Sequence, residues 1–537
     1  MRSYDFIIVG SGSAGSVVAN KLSENGRYSV LVLEAGGSDR RFFITMPLGY
    51  GKTFYDKSVN WMYRAEPDSG LGGNADYWPR GKVLGGSSSI NAMVYVRGAA
   101  EDFDEWRDAG NPGWGYSDLE PIFRSLEDHD GPATSLGKGG PLHVTDCSKL
   151  FHPLANRMIA AAQEAGLPYN PDFNGTTQEG VGPFQLTTKS GHRMSAAKAF
   201  LRPAMKRRNV TVLTGAMVKR IVFEGKRAIG VEFLHKGTMQ SVTAGREVIL
   251  CGGSVNTPQL LELSGIGDAT KLRTLGVEVV SDSPQVGENL SDHLGINYTY
   301  RANIPSLNQV LRPWWGKALA GIEYLLLRTG PLSISMNQGG GFFRTDPSRT
   351  RANMQLYFQA FSTLVPKNGE RPILTPDPWP GFSIGLSNCR PTSRGSIHIR
   401  SRDAHDAPRI IANAFSTEHD VAEMLDAVKF LRKIAATATM SKLIEEELLP
   451  GPDCTSDEAL IEDFRKRSGT VYHPVSTCRM GPDASRSVVD SRLKVHGITG
   501  LRVVDCSIFP NIISGNTNAA AMMVGAKGAQ LILEDQP

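Results

Sequence analysis

From Asp5 to Gly15 the chain reads DFIIVGSGSAG, and this stretch decides the fold class. Phe6-Ile7-Ile8-Val9 is a short apolar run of the kind that forms a buried parallel strand. Gly10, Gly12 and Gly15 follow in GxGxxG spacing. In that pattern Gly10 permits the tight turn, Gly12 lets the backbone approach a pyrophosphate, and Gly15 lets the helix pack close to the strand. Ser16 to Leu22 continues as a helix, and its N-terminal amides face the phosphates. A second strand, Ser29 to Leu33, ends at Glu34, about 20 residues beyond the glycines, where an acid can accept hydrogen bonds from a ribose diol. A lone GxGxxG is a weak signal. Here strand, turn, helix, strand and acid occur in order, which predicts a dinucleotide site.

A second pair of fingerprints lies toward the other end: YHPVSTCRMG from Tyr472 to Gly481, and SGNTNAAAMMVGAKGA from Ser514 to Ala529. They supply a histidine and an asparagine suited to handling the proton of an alcohol. The two ends together suggest a flavoenzyme whose cofactor site both close.

The chain has 537 residues, too many for one ordinary core, so two or more domains are expected. Apolar content of 40% and charged content of 21% describe a soluble globular protein. The net charge of +4 is small for this length and no lysine–arginine run occurs, so composition gives no case for nucleic acid or an anionic membrane as the main partner. Six scattered cysteines form no CxxC or Cys/His cluster, so free thiols in a reducing compartment are expected, with no metal. The cofactor strand starts at Asp5 or Phe6 and leaves no room for a cleavable signal peptide. The apolar stretch Ala318 to Leu327 contains Glu323 and is too short to span a bilayer. A cytoplasmic protein without an integral membrane segment is the expectation, and peripheral membrane contact is compatible with it. The sequence carries no signal for an oligomeric state.

Glu34 to Gly37 leads into an irregular, aromatic region through Trp61 and Trp78, expected to be a long ordered loop. Gly85 to Ser89 would let backbone approach a flat ring system, and the apolar tail from Ile90 to Val96 argues against a flexible linker. Ala155 to Ala165 reads as a helix ending at Gly166. Val210–Leu213, Val218–Val222, Ala228–Phe233 and Ser241–Ala244 read as strands, and Arg246 to Leu250 as another, ending at Gly252-Gly253. Thr257-Pro258 is expected to open a helix as cap and first-turn proline. From about Asn297 to Arg465, β-type runs (Met354–Phe358, Phe382–Ser387, Gly395–Ile399) and an amphipathic helix (Glu418–Ala435) predict a second domain on an antiparallel sheet. Leu501–Asp505 then reads as a strand and Asn518–Leu533 as a helix.

These motifs resemble the glucose–methanol–choline (GMC) family of FAD-dependent oxidoreductases. The likeness covers nearly the whole chain and rests on GSGSAG with Glu34, RGKVLGGSSSIN (Arg80–Asn91), GGSVNTPQLLELSGIG (Gly252–Gly267) and the terminal HP and NTNA elements. The stretches GLPYNPDFNGTTQEG (Gly166–Gly180) and ALAGIEYLLLRTGPL (Ala318–Leu332) are most similar to bacterial choline-dehydrogenase-like members, especially sorbose dehydrogenases. The resemblance implies an α/β and α+β fold: a Rossmann-like FAD-binding domain made of residues 1–296 and 466–537, and a substrate domain, mostly 297–465, with a six-stranded antiparallel sheet. It also implies that Ser13, Ala14, Glu34 and Ala35 contact the ADP half of FAD. Asn91, Ala92, Met93 and Val94 would line the pyrophosphate and isoalloxazine, and Val218 would hold the adenine by its backbone. Asp505, Thr517 and Asn518 would reach the ribityl chain and pyrimidine edge. Gly10, Gly12, Gly15, Gly85 and Gly252 complete the expected cofactor wall. Some family members attach FAD through a histidine where this chain has Ile90, so non-covalent FAD is expected.

Alcohol oxidation by a flavin requires a hydride to reach the flavin and the hydroxyl proton to leave, hence a base and a hydrogen-bond donor on the substrate oxygen. His473 fits the base, since imidazole titrates near working pH, and Pro474 stiffens the backbone after it. Asn516 fits the second polar partner; the alternative is a helix N-terminal cap. Tyr472 is a candidate for the flavin face, with ordinary packing as the alternative. Trp61, Trp314 and Trp315 are candidates for pocket or lid, with packing the simpler expectation for each. The expected activity is oxidation of a small-molecule alcohol (primary alcohol, polyol or sugar), with electrons passed to an external quinone-like acceptor. An oxidase using O2 and a non-redox hydroxynitrile-lyase-like enzyme are the alternatives.

Overall fold

The computed structural model describes residues 3–132, 134–363 and 375–536. The apolar run Phe6–Val9 lies at the centre of a parallel sheet. Its strand, Ser3–Val9, pairs with Val30–Glu34 on one side and with Thr238–Leu250 on the other. Val210–Thr214 and Leu501–Val503 extend the parallel set outward. These strands are apolar along their length because helices and loops cover both faces; Phe6, Ile7, Ile8, Val30 and Val32 are fully buried. Ala216–Glu224 and Arg227–His235 add an antiparallel meander on the first half of Thr238–Leu250.

Three local expectations are corrected. Ser241–Ala244 and Arg246–Leu250 form one 13-residue strand. Gly245 marks a bulge within it, where the register shifts between Tyr4 and Phe6 of the neighbouring strand. The following helix is Gly253–Leu263 and does not start at Thr257. Pro258 sits inside it, and the Ser254 carbonyl that a normal N–H at 258 would bond instead accepts from Thr477 Oγ1 at 2.8 Å. Relieved of a capping role, Thr257 donates its hydroxyl to Asp505 at 2.6 Å. The aromatic region after Glu34 is likewise less irregular than expected, with short helices at Phe42–Thr45 and Tyr50–Thr53 and the two-residue strands Tyr63–Arg64 and Tyr77–Trp78.

The chain's last helix, Asn518–Glu534, packs across the first, Ser13–Ser23. Gly525 permits this, since a Cβ there would lie 2.6 Å from the Ala14 carbonyl oxygen.

The second sheet is antiparallel. Its order is Ile444–Leu449, Leu294–Ala302, Gly381–Asn388, Met354–Gln359, Gly339–Phe343, Gly180–Pro183, and the short Gly469–Thr470 pairs with the start of Leu294–Ala302. The edge strand Gly180–Pro183 comes from the sequence well before residue 297. Period-two alternation separates the two faces. In MQLYFQ (Met354–Gln359), Met354, Leu356 and Phe358 enter the core shared with the helices Pro153–Glu164 and Glu418–Ala435. Tyr357 and Gln359 face a cavity between the sheets. Among the described residues no helix is long and apolar enough to cross a membrane.

Candidate active site

The cavity between the sheets holds about 890 Å³, toward the upper end of the roughly 300–1,000 Å³ of small-molecule and cofactor sites. One part of its wall is the glycine turn. Gly10 has φ +97°, and a Cβ there would lie 2.5 Å from the Cys251 carbonyl oxygen; at Gly15 a Cβ would collide with the Gly10 carbonyl. Both glycines are therefore required by the protein's own packing. Gly12 is different: the nearest atom to a Cβ there is Cys251 O at 3.9 Å. Space at Gly12 opens into the cavity, which is what close approach of a bound phosphate needs.

Two helix N-termini meet at this wall. Ser13 begins one helix and Asn518 the other, and Ser13 Oγ donates to Asn518 Oδ1 at 2.7 Å. Ala14 and Thr517 line the cavity beside them. The free amides and macrodipoles of two helix N-termini make this a positive end for an anionic group. Glu34 is buried at the end of its strand. Its Oε2 accepts from Ser11 N and Ser11 Oγ (3.0 and 2.7 Å), and its Oε1 accepts from Gly36 N (2.8 Å). Burial pushes its carboxyl up against these bonds. The open glycine, the paired helix ends and the buried acid fit a dinucleotide, the ADP half of FAD.

The remaining cofactor candidates divide. Ala35, Trp61, Asn91, Ala92, Met93, Val94, Val218, Gly252, Tyr472 and Asp505 line the cavity. Gly15 and Gly85 do not: Gly15 is buried under the turn, and Gly85, at φ +87°, shapes the backbone behind the wall. Gly86 is the glycine that meets the cradle, with a Cβ there 2.7 Å from Gly12 Cα. Val218 sits at a register shift in its strand, a bulge beside the cavity. Trp61 stacks on Tyr63 with ring centroids 5.7 Å apart and carries Lys82 Nζ at 4.3 Å over its ring. Asp505 accepts from Gly253 N, Thr257 Oγ1 and Ser507 N. Ile90 is buried at the cavity wall and has no atom able to bond a flavin. Trp314 and Trp315 are neither packed nor on the wall; they are 81% and 55% exposed.

The polar end of the cavity is built around His473 and Asn516, which the structure brings together. Asn516 Nδ2 lies 3.2 Å from His473 Nε2, and Asn516 Oδ1 accepts from Gln355 Nε2 at 3.1 Å. The Asn516 side chain caps no helix, because the N-cap position is Thr517. Gln355 in turn accepts from the Tyr357 hydroxyl at 2.8 Å. On its other side His473 Nδ1 lies 3.0 Å from His293 Nδ1, and His293 Nε2 lies 2.9 Å from the Cys389 carbonyl oxygen.

These partners determine where the protons sit. A carbonyl only accepts, so His293 Nε2 carries the hydrogen. Burial lowers His293 to about 4, which keeps it neutral and leaves its Nδ1 as an acceptor. His473 Nδ1 must then be the donor, and His473 Nε2 presents a lone pair to the cavity. His473 is itself held well below its ordinary value, first by burial, then by His293 and Arg80.

The backbone around His473 is clamped. Tyr472 has φ +71°, a conformation costing a non-glycine residue about 1–3 kcal/mol unless its surroundings enforce it. Arg80 Nη2 donates to the Tyr472 carbonyl (2.8 Å), and Asp292 Oδ1 accepts the His473 N–H (2.8 Å). Asp292 also accepts from the Thr470 hydroxyl, and burial raises its carboxyl to about 7. His293, Asp292, Arg80, Gln355 and Tyr357 are the residues that sequence reasoning missed. The Asp292-His293 pair in VGENLSDHLG is a buried-type histidine beside an acid, and the polar positions of MQLYFQ alternate toward one face; both were readable signals.

A GMC oxidoreductase N-terminal model matches residues 4–295 and the corresponding C-terminal model matches residues 391–525. The chain is 41% identical over 535 residues to an alcohol dehydrogenase [acceptor] from Pseudomonas putida, covering 99% of this chain and 96% of that protein. It is 41% identical to an oxygen-dependent choline dehydrogenase from Photobacterium profundum, covering 100% and 94%. The solved structure of pyridoxine 4-oxidase from Mesorbium loti superposes with a TM-score of 0.90 at 31% identity, covering 99% of this chain and 100% of that one. On these matches, together with the glycine cradle and the paired chain ends, the chain belongs to the GMC oxidoreductase family.

Proposed function

We propose that this protein oxidises a neutral alcohol (a primary alcohol, polyol or sugar) to the aldehyde or ketone with non-covalently bound FAD, and passes the electrons to an external quinone-like acceptor. The observation that carries this reading is the lone pair of His473 Nε2, fixed by His293 and set beside the amide of Asn516. The substrate hydroxyl replaces their direct 3.2 Å contact, donating its proton to His473 Nε2 and accepting a hydrogen bond from Asn516 Nδ2. As the oxygen gains negative charge, that bond strengthens. FAD, when bound, supplies the acceptor for the hydride that leaves the carbinol carbon. One proton and one hydride depart from the alcohol, so two electrons must leave the protein in each turnover.

The wall carries charges of both signs, with Arg64, Arg80, Lys466 and Arg467 among its lining residues. The carboxylates that line the cavity among the described residues are Glu34, Asp76 and Asp505, and each accepts backbone N–H bonds. The wall also offers Asn297, Thr299, Tyr357 and Gln359, groups that pair with hydroxyls. The similarity to an alcohol dehydrogenase [acceptor] supports both the alcohol and the external acceptor.

The test is an anaerobic screen of sugars, polyols, aryl alcohols and choline. A neutral alcohol should bleach the flavin colour, choline should not, and a quinone or dye should restore the colour faster than air. Peroxide formed at the rate of dye reduction would place the protein among oxidases. No bleaching by any alcohol, with substrate still turned over, would favour a lyase.

A further inference from the structure

The helix Trp314–Leu327 is inside out. Its buried stripe is Gly316, Ala320 and Tyr324, at i, i+4 and i+8. Gly316 lets it lie close to the preceding turn, since a Cβ there would meet the Val310 carbonyl. The large apolar side chains point the other way: Trp314 is 81% exposed, Leu326 76%, Leu327 68% and Leu319 61%. Phe42 and Phe43, on the helix Phe42–Thr45, enlarge the patch; the Phe42 ring lies 6.2 Å from that of Tyr324. Contiguous exposed apolar surface of this kind marks an interaction site.

The charges around it say what covers it. Arg312, Lys317 and Arg328 lie on or beside the helix, and Arg40 and Arg41 directly precede Phe42, with Arg41 paired to Asp56 at 3.6 Å. The carboxylate within the helix, Glu323, accepts from Thr329 Oγ1 at 3.0 Å. A second copy docked by two-fold symmetry would set these cationic rims against each other. A partner that is apolar inside and anionic at its rim fits both features, and large apolar groups with tryptophan and basic residues at their margin are the composition of a helix lying in a lipid interface.

We propose that this face docks the protein onto an anionic phospholipid bilayer, with the helix lying in the plane of the headgroups. The location bears on function. The helix rests on the turn Pro331–Ser333, which packs against Pro47–Gly49, and the adjoining Tyr50 and Gly51 line the cavity. Docking would bring that wall of the cavity to the membrane, where a quinone acceptor is dissolved. This consequence rests on the proposed acceptor; the docking itself does not.

The test uses the FAD-loaded protein without substrate, sedimented with vesicles of phosphatidylcholine alone or mixed with phosphatidylglycerol. Binding to the mixed vesicles is expected, weakened by added salt. The double variant Trp314→Glu/Leu326→Glu should lose bound fraction by about tenfold or more, and Lys317→Glu should lose the preference for phosphatidylglycerol. Flavin content, melting temperature and turnover with a soluble dye should be unchanged, since these residues are exposed. Absence of vesicle binding, or binding that the double variant retains, overturns the proposal. So does a dimer seen by light scattering that the double variant dissociates without any vesicle binding, which would make the face a subunit interface. Vesicle binding by a protein that reduces oxygen instead of quinone would overturn only the acceptor assignment.

Discussion

His293 and His473 face each other through their Nδ1 atoms at 3.0 Å, with the ring planes 87° apart. Two neutral imidazoles can share such a contact only if one donates and the other accepts. The Cys389 carbonyl behind His293 decides which. Replacing His293 by Leu should therefore release the ring of His473 and slow flavin reduction by about tenfold or more. His293→Gln, which restores an acceptor, should recover part of that loss. Equal rates in both variants, measured by stopped-flow reduction under anaerobic conditions, would show that His293 serves packing alone.

Removing the proposed base should have a larger effect. His473→Ala should keep its FAD and reduce it on the order of a hundredfold more slowly. Asn516→Ala should also slow reduction with FAD retained. Because no cap bond comes from its side chain, the melting temperature of the Asn516 variant should barely move. A variant that loses stability or flavin while its reduction rate survives would return Asn516 to a structural role.

The acid limb of kcat/KM follows from the depressed value of His473. Burial, His293 and Arg80 all oppose protonation of this ring. With His473 as the proposed base, the rate should hold through neutral pH and its acid limb should lie below the ordinary imidazole range. Asp292, raised to about 7 by burial, titrates in the neutral range, but its carboxylate bonds the backbone N–H of His473 and not the ring. A limb near pH 7 that persists in Asp292→Asn would contradict this assignment.

The glycines of the cradle should separate folding from binding. Gly10→Ala combines φ +97° with a Cβ 2.5 Å from a carbonyl oxygen and should destabilise the protein itself. Gly12→Ala meets nothing nearer than 3.9 Å, so it should fold normally and bind FAD more weakly. Acid precipitation of the wild-type protein should leave the yellow flavin in the supernatant, because Ile90 cannot form the link that a histidine there could. Colour held in the pellet would mean a covalent link from another residue.

Local sequence determined the elements whose signals are short-range. The strand, glycine turn, helix and acid from Phe6 to Glu34 stand where their pattern put them, because turn geometry and apolar periodicity act within a few residues. The helix Glu418–Ala435 matches its amphipathic stretch for the same reason. The helix at Gly253 was misplaced, since the hydroxyl that satisfies the carbonyl opposite Pro258 comes from Thr477, more than two hundred positions away in the chain. Position alone also failed for Trp314 and Trp315, whose exposure depends on the small residues of their own helix facing inward. The motifs singled out His473 and Asn516, but only the tertiary structure placed His293 behind one and Gln355 behind the other. Tautomer and amide orientation are set by such partners, and the hydrogen bonds that set them link segments with no sequence relation to one another. The candidate residues of this site were therefore legible in the sequence, and their orientation was decided by the fold.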